Sequence, residues 1–218
     1  MKLQERFSLT QLLTAILLIF YLVGTIGIAL HPLEFAKLTP FNLLLTLGLC
    51  LWPHQPKDTF FFIQLSAIFL ASFLLEYVGV NSGLIFGHYT YGNALGPKLG
   101  STPLMIGINW VIVVYSSLQL VQTISTKLKG KLNALTGAGL AALAMVALDL
   151  LIEPLAPKLD FWEFNNLQVP LQNYTAWFFF GFIFCYWLIK AGVLKNNPMG
   201  WRVYLVQFVF FLILNLSL

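Results

Sequence analysis

From Thr59 to Leu75 the chain runs seventeen residues without a charge, beginning "TFFFIQLSAIFLASFL", and then meets Glu76. A helix needs about 20 mostly apolar residues to cross the hydrocarbon core of a bilayer. Runs of this kind occur near 9–30, 38–52, 59–80, 103–124, 132–152, 174–194 and 201–218. The second, "LTPFNLLLTLGLCLW", is short and fits a tilted or interfacial helix as well as a full span. Of the 218 residues, 59% are hydrophobic and 9% charged, against about 25% charged in a soluble domain. The expectation is an all-α, polytopic integral membrane protein of about seven transmembrane helices. It forms one domain over 1–218, since no polar stretch is long enough to fold apart. The first run is too long for a secretory signal and is expected to remain as a span.

Charge sets the orientation. With seven spans and the N-terminus inside, Lys2, Arg6, Lys57, Lys127, Lys129, Lys131, Lys190, Lys195 and Arg202 fall on the cytoplasmic side. Only Lys37, Lys98 and Lys158 fall outside, the bias that membrane proteins follow. Without the second span the "KLKGK" loop would lie outside. The net charge of +4 follows from this asymmetry, and the scattered bases imply no nucleic-acid partner. Cys50 and Cys185 lie inside apolar runs and read as small hydrophobes. No phosphate-binding loop, dinucleotide fingerprint or zinc spacing occurs.

The acids gather on the opposite side. Glu5, Glu34 and Asp58 lie near ends or in short loops, whereas Glu76, Asp149, Glu153, Asp160 and Glu163 all fall at the outer face. The two longest loops, about 81–102 and 153–173, are there too. In "ALDLLIEPLAP", Asp149 and Glu153 are four apart and share a helix face. Like charges there repel in low-dielectric surroundings, so such a pair can hold one proton near neutral pH, as a general acid must. The bland alternative puts Glu153 among headgroups and Asp149 in a bond to a neighbouring helix. Ionisable groups within spans are costly and are functional candidates by default.

Glu76 leads into "EYVGVNSGLIFGHYTYG", whose glycines Gly79, Gly83, Gly87 and Gly92 permit backbone turns. Its alternating end places Tyr89 and Tyr91 on one side of an extended segment, as a pocket wall or as an interfacial aromatic belt. Asn109 and Trp110 in "GINWVIVVY" lie in the outer half of the fourth span, where a buried amide needs partners. Asn173, in "PLQNYTAWF", opens the sixth span, as an N-cap or as a site residue, with Tyr174 and Trp177 following. Trp162 and Glu163 in "DFWEF" read as a lid or as interfacial anchors. His88 is the one histidine in the cluster, and its spacing fits no ligand signature, so no metal site is expected. His31 and His54 adjoin prolines at span ends and read as loop residues. Carboxylates, amides and aromatics at the end of an apolar bundle suit a lipophilic substrate with one reactive end near water. A carboxylic acid could protonate an alkene there, and aromatic faces could stabilise the cation.

Residues 73–182 carry a resemblance. The blocks "EYVGVNSGLIFGHYTYGNALGPKLGSTPLMIGINWVIVVYSS", "ALDLLIEPLAPKLDFWEFNN" and "VPLQNYTAWFFFGF" follow in order. Together they resemble the carotenoid 1',2'-hydratase family, also called bisanhydrobacterioruberin hydratases or carotenoid biosynthesis membrane proteins. The resemblance implies hydration of the terminal double bond of an acyclic carotenoid end, in a bacterial or archaeal cytoplasmic membrane. Protonation at C2' would give a tertiary cation at C1', which water captures as a tertiary alcohol, with no cofactor. Carried onto this chain, Asp149 is the first candidate donor and Glu76 the second. Glu153 falls where the family varies. Asn109, Asn173 and His88 would position water or tune the acids, and Tyr89, Tyr91 and Trp110 would shape the end pocket. A small membrane-type carotenoid cyclase, a carotenoid-binding protein and a proton-coupled transporter are the rival classes. Acids gathered at one face, with no internal repeat, fit a transporter poorly.

Overall fold

The computed structural model describes residues 8–218; Lys2, Glu5 and Arg6 lie outside them. The helices are α1 (Leu9–Leu30), α2 (Pro32–Ala36), α3 (Thr39–Leu51), α4 (Thr59–Ser82), α5 (Met105–Lys127), α6 (Ala134–Ile152), α7 (Leu171–Ala191) and α8 (Pro198–Ser217). Six of them are long and apolar enough to cross a membrane. Their outward residues, such as Leu18, Ile19, Leu22, Leu70, Leu74 and Phe179, are large, apolar and exposed, as a lipid-facing surface requires.

The chain marks its own helix starts. Ser8 accepts from the Gln11 amide while the Gln11 side chain accepts from the Ser8 amide, closing a capping box on α1. Asp58, Asn133 and Asn197 accept backbone amides at the heads of α4, α6 and α8. Gly83 ends α4 at φ 68°, a left-handed position that suits glycine.

The short helix α3 lies alongside the six longer ones. Its thirteen residues reach about 20 Å. Pro40 at its head packs on Gly96 in the loop before α5, and the Cys50 carbonyl at its foot accepts from Asn197, the cap of α8, at 2.7 Å. It therefore runs the length of the bundle beside the six longer helices. Helix α5 is the hub, buried without a break from Trp110 to Gln119. Helices α6 and α7 meet through small residues, including Gly137, Ala142 and Gly181, which let the backbones approach closely.

Four short strands cover one end: β1 (Tyr89–Tyr91), β2 (Lys98–Leu99), β3 (Thr102–Pro103) and β4 (Trp162–Phe164). Strand β1 pairs antiparallel with β4, Tyr89 opposite Phe164 and Tyr91 opposite Trp162, and β2 pairs with β3. The first ribbon joins the two long loops. The first and third residues of each strand, Tyr89 and Tyr91, Trp162 and Phe164, face the bundle, while Thr90 and Glu163 point outward and are exposed.

Two expected boundaries shift with consequences. Helix α4 runs on to Ser82, so Glu76 lies six residues inside its end, about 9 Å deep. Helix α7 begins at Leu171 with Pro170, in extended conformation, as its cap. Asn173 is thus inside the first turn, not the N-cap, and its side chain is free for other partners.

Candidate functional site

The ends of α4 and α6 and the heads of α5 and α7 converge beneath the β1–β4 ribbon, and each contributes a buried polar side chain. Glu76 is 3% exposed and accepts three hydrogen bonds. The Tyr89 and Tyr91 hydroxyls donate to its Oε2 at 2.6 and 2.7 Å, and Trp110 Nε1 donates to Oε1 at 2.8 Å. The alternation of β1 makes this possible, since residues two apart in a strand share a face. Burial and the adjacent Glu76 charge hold both tyrosines well above their ordinary pKa, so they remain neutral donors. Trp110 is in turn fixed by Trp177, stacked at 4.1 Å and 9°, and by the edge of Phe184.

A second carboxylate group faces the first. Asp149 and Glu153 lie one turn apart at the end of α6, both almost wholly buried. The Asn173 amide nitrogen donates to both, at 3.0 Å to Asp149 Oδ2 and 2.8 Å to Glu153 Oε1. Trp162 Nε1 donates to Glu153 Oε2 at 3.0 Å. Asp149 Oδ1 has no partner. Burial pushes the Glu153 carboxyl up to about 7, against the bonds from Trp162 and Asn173 and helped by the nearby Glu76 charge. A buried carboxylate oxygen with no donor is costly.

Two cavities meet at this point. The smaller, about 20 Å³, is lined by Glu76, Glu153, Asn173, Tyr89, Tyr91 and Trp177, among others. Roughly 10–15 Å³ of such space holds one water molecule. The larger, about 520 Å³, lies between α1, α3, α5, α6 and α8 and is apolar over most of its wall. Ile106 and Trp162 line both. Phe20, Val23, Leu38 and Phe41 line the larger one and are also exposed on the outer surface of the bundle, so it opens sideways toward lipid.

The expected site residues divide accordingly. Glu76, Glu153, Tyr89, Tyr91, Asn173, Trp162 and Trp177 all line the small cavity. Asp149 and Trp110 stand directly behind it. Asn109 is half-buried and lines the larger cavity. His88 is exposed, its ring lying over Gly83, because the strand alternation that turns Tyr89 inward turns His88 outward. Trp162 is a buried wall bonded to Glu153, not an anchor at the surface. Among the described residues, no three of His, Cys, Asp and Glu converge as metal ligands. Sequence reasoning did not single out Phe86, Ile106 or Phe164. Phe164 follows from the period-two pattern of "WEF", whereas nothing local marks Ile106 among its apolar neighbours.

Comparison with known proteins gives two findings. A family model described as "Carotenoid biosynthesis protein" matches residues 41–218. The bisanhydrobacterioruberin hydratase of Haloarcula japonica is 32% identical over 143 residues, covering 62% of this chain and 48% of the relative. The chain thus matches about half the length of that relative. No solved structure matches.

Proposed function

This chain belongs to the carotenoid biosynthesis protein family, and we propose that it adds water across the terminal C1'=C2' double bond of an acyclic carotenoid end. The observation that carries the proposal is a water-sized cavity walled by carboxylates and abutting a large apolar cavity that opens toward lipid. The polyene enters through the larger cavity, its terminal double bond reaching the boundary that Ile106 and Trp162 share with the small cavity, and the rest of the chain stays in the bilayer. Asp149 and Glu153, joined through Asn173, act as one proton-holding unit. Glu153 is the member that faces the small cavity.

The Glu153 carboxyl gives its proton to C2', and the two electrons of the double bond form the new C–H bond. The cation left at C1' is tertiary. Glu76 can lie near it as an anion, because three donors already occupy its two oxygens and the Trp110 N–H can only donate. The stacked Trp110–Trp177 pair and the tyrosine rings add cation–π attraction. Water in the small cavity attacks C1', and the resulting oxonium returns a proton to the Asp149–Glu153 unit. The sum is one water added, with no oxidant or reductant consumed and every proton accounted for by this chain's own residues.

Expression in a lycopene-producing bacterium with mass spectrometry of the pigments tests this. The expected product is heavier than its precursor by one water. An isomeric product of unchanged mass would point to a cyclase, and unchanged pigment would leave binding alone. Glu153→Gln and Asp149→Asn are each expected to lower the yield roughly 10²- to 10⁴-fold, the usual share of a general acid, with the protein still in the membrane.

A further inference from the structure

The larger cavity has a polar region that the proposed reaction does not use. It lies halfway along the bundle, where α1, α3 and α8 face one another. Tyr21 and Thr46 are buried there and share a hydrogen bond of 3.2 Å. Asn42 and Gln207 come up against the same tyrosine hydroxyl and, with Tyr21, line the cavity. Gln207 is 3% exposed, yet its Oε1 has no hydrogen-bond partner. Leaving a buried amide oxygen unbonded is unfavourable, and few native groups are left so.

This region is remote from the carboxylates. Asn215 on α8 donates to the Leu151 carbonyl at 2.7 Å, which fixes the level of α8 beside Asp149 and Glu153. Gln207 lies eight residues earlier on the same helix, about 12 Å away along its axis. One small group cannot touch both places.

We propose that Tyr21, Asn42, Thr46 and Gln207 form a binding station for a hydroxyl group brought into the apolar cavity, on a lipophilic alcohol or as a water molecule. Gln207 Oε1 accepts only, so its guest must donate, which a hydrocarbon cannot do. The Tyr21–Thr46 pair donates or accepts in either direction, so the guest's own oxygen finds a donor. A lone water needs two to four polar partners, and Tyr21, Asn42 and Gln207, which line the cavity, supply them, with Thr46 behind Tyr21. Phe20, Phe41 and Phe210 form the apolar wall alongside and suit a guest whose remainder is hydrocarbon. The station thus distinguishes an oxygenated chain from a bare one, away from the reacting end.

Binding to the purified full-length chain in detergent tests the assignment without turnover. The probes are geranylgeraniol and the hydrocarbon in which a methyl replaces its CH₂OH, titrated calorimetrically. The alcohol is expected to bind roughly five- to tenfold more tightly, the effect of one net hydrogen bond. Gln207→Met, similar in volume, should erase the difference while keeping the affinity for the hydrocarbon, which identifies a ligand hydroxyl. Asn42→Leu gives the same comparison should Gln207→Met not fold. Equal binding of both probes, with an ordered water on Gln207 Oε1 in a high-resolution map, identifies water as the guest. Equal binding with no water on that atom overturns the station. A chain that hydrates no carotenoid can still pass this test, and an active hydratase can still fail it.

Discussion

Glu76 and Glu153 are both buried carboxylates in one small cavity, and their partners give them opposite proposed roles. Glu76 meets three donors and no unoccupied oxygen. In Glu76→Gln the new amide NH₂ must face either the Trp110 N–H or the two tyrosine hydroxyls. The expected cost is about 1–3 kcal/mol from the donor left unpaired, measured by thermal unfolding in detergent, together with loss of product. Glu153 is held up to about 7 by burial, above its ordinary 4.5. A raised acid is protonated below that value and loses its proton as pH climbs through it. Turnover is therefore expected to fall as pH rises through about 7. Glu153→Gln should remove that limb from whatever activity remains, and a flat profile in the parent protein would count against Glu153 as the donor. Asp149, Glu153 and Glu76 stood out in the sequence because ionisable groups are so scarce in apolar runs. Tyr89, Tyr91, Trp110, Asn173 and Trp162 stood out as well, but which acid each serves did not, since a hydrogen bond between residues 34 apart, as Trp110 to Glu76, leaves no trace in local spacing.

At the scale of elements, the β1–β4 ribbon is what turns helix ends into a site. Its register sets Tyr91 opposite Trp162, so the donors to Glu76 and Glu153 are positioned by one pairing. Gly92 follows β1 directly, and a Cβ there would collide with the backbone carbonyl of Asp160. Backbone cannot swing aside as a flexible side chain does. Gly92→Ala is expected to part the ribbon and to lower both product yield and the unfolding temperature. Trp162 is the partition between the apolar and the water-sized cavities, and its bond to Glu153 holds it there. Trp162→Phe keeps an aromatic wall but frees Glu153. With the water less well placed, more of the cation should lose a proton instead of gaining water. The expected result is a higher ratio of double-bond isomer to alcohol, read by chromatography; an unchanged ratio would remove Trp162 from that role. Helix α7 shows the same dependence on context. The sequence suited Asn173 to a cap, but Pro170 begins the helix earlier and leaves the Asn173 amide free to bridge two carboxylates.

Over the whole molecule, α1, α3, α5, α6 and α8 enclose an apolar cavity that opens toward lipid and shares Ile106 and Trp162 with the small carboxylate-lined cavity. Gly24 lies on its wall, and a Cβ there would meet only Phe210, at 3.6 Å, an ordinary contact. Gly24→Leu should therefore fold, fill the cavity and block the polyene, lowering product with little change in unfolding temperature. The orientation is also open to test. Lys127 ends α5, and Lys129 and Lys131 lie in the loop to α6, at the opposite end from Glu163 on β4. With the N-terminus inside, Glu163→Cys should react with an impermeant thiol reagent in intact cells, and Lys129→Cys only after lysis. The sequence by itself determined the apolar spans and the crowding of acids at one end, because burial in lipid demands long uncharged runs and makes each intramembrane charge conspicuous. It also supplied the alternation that turns Tyr89 and Tyr91 inward. Only the tertiary structure decided that Trp110 serves Glu76, that Asn173 joins Asp149 to Glu153, and that Ile106 and Trp162 divide two cavities. Those contacts join residues far apart in the chain, and a cavity is a property of what several helices leave unfilled.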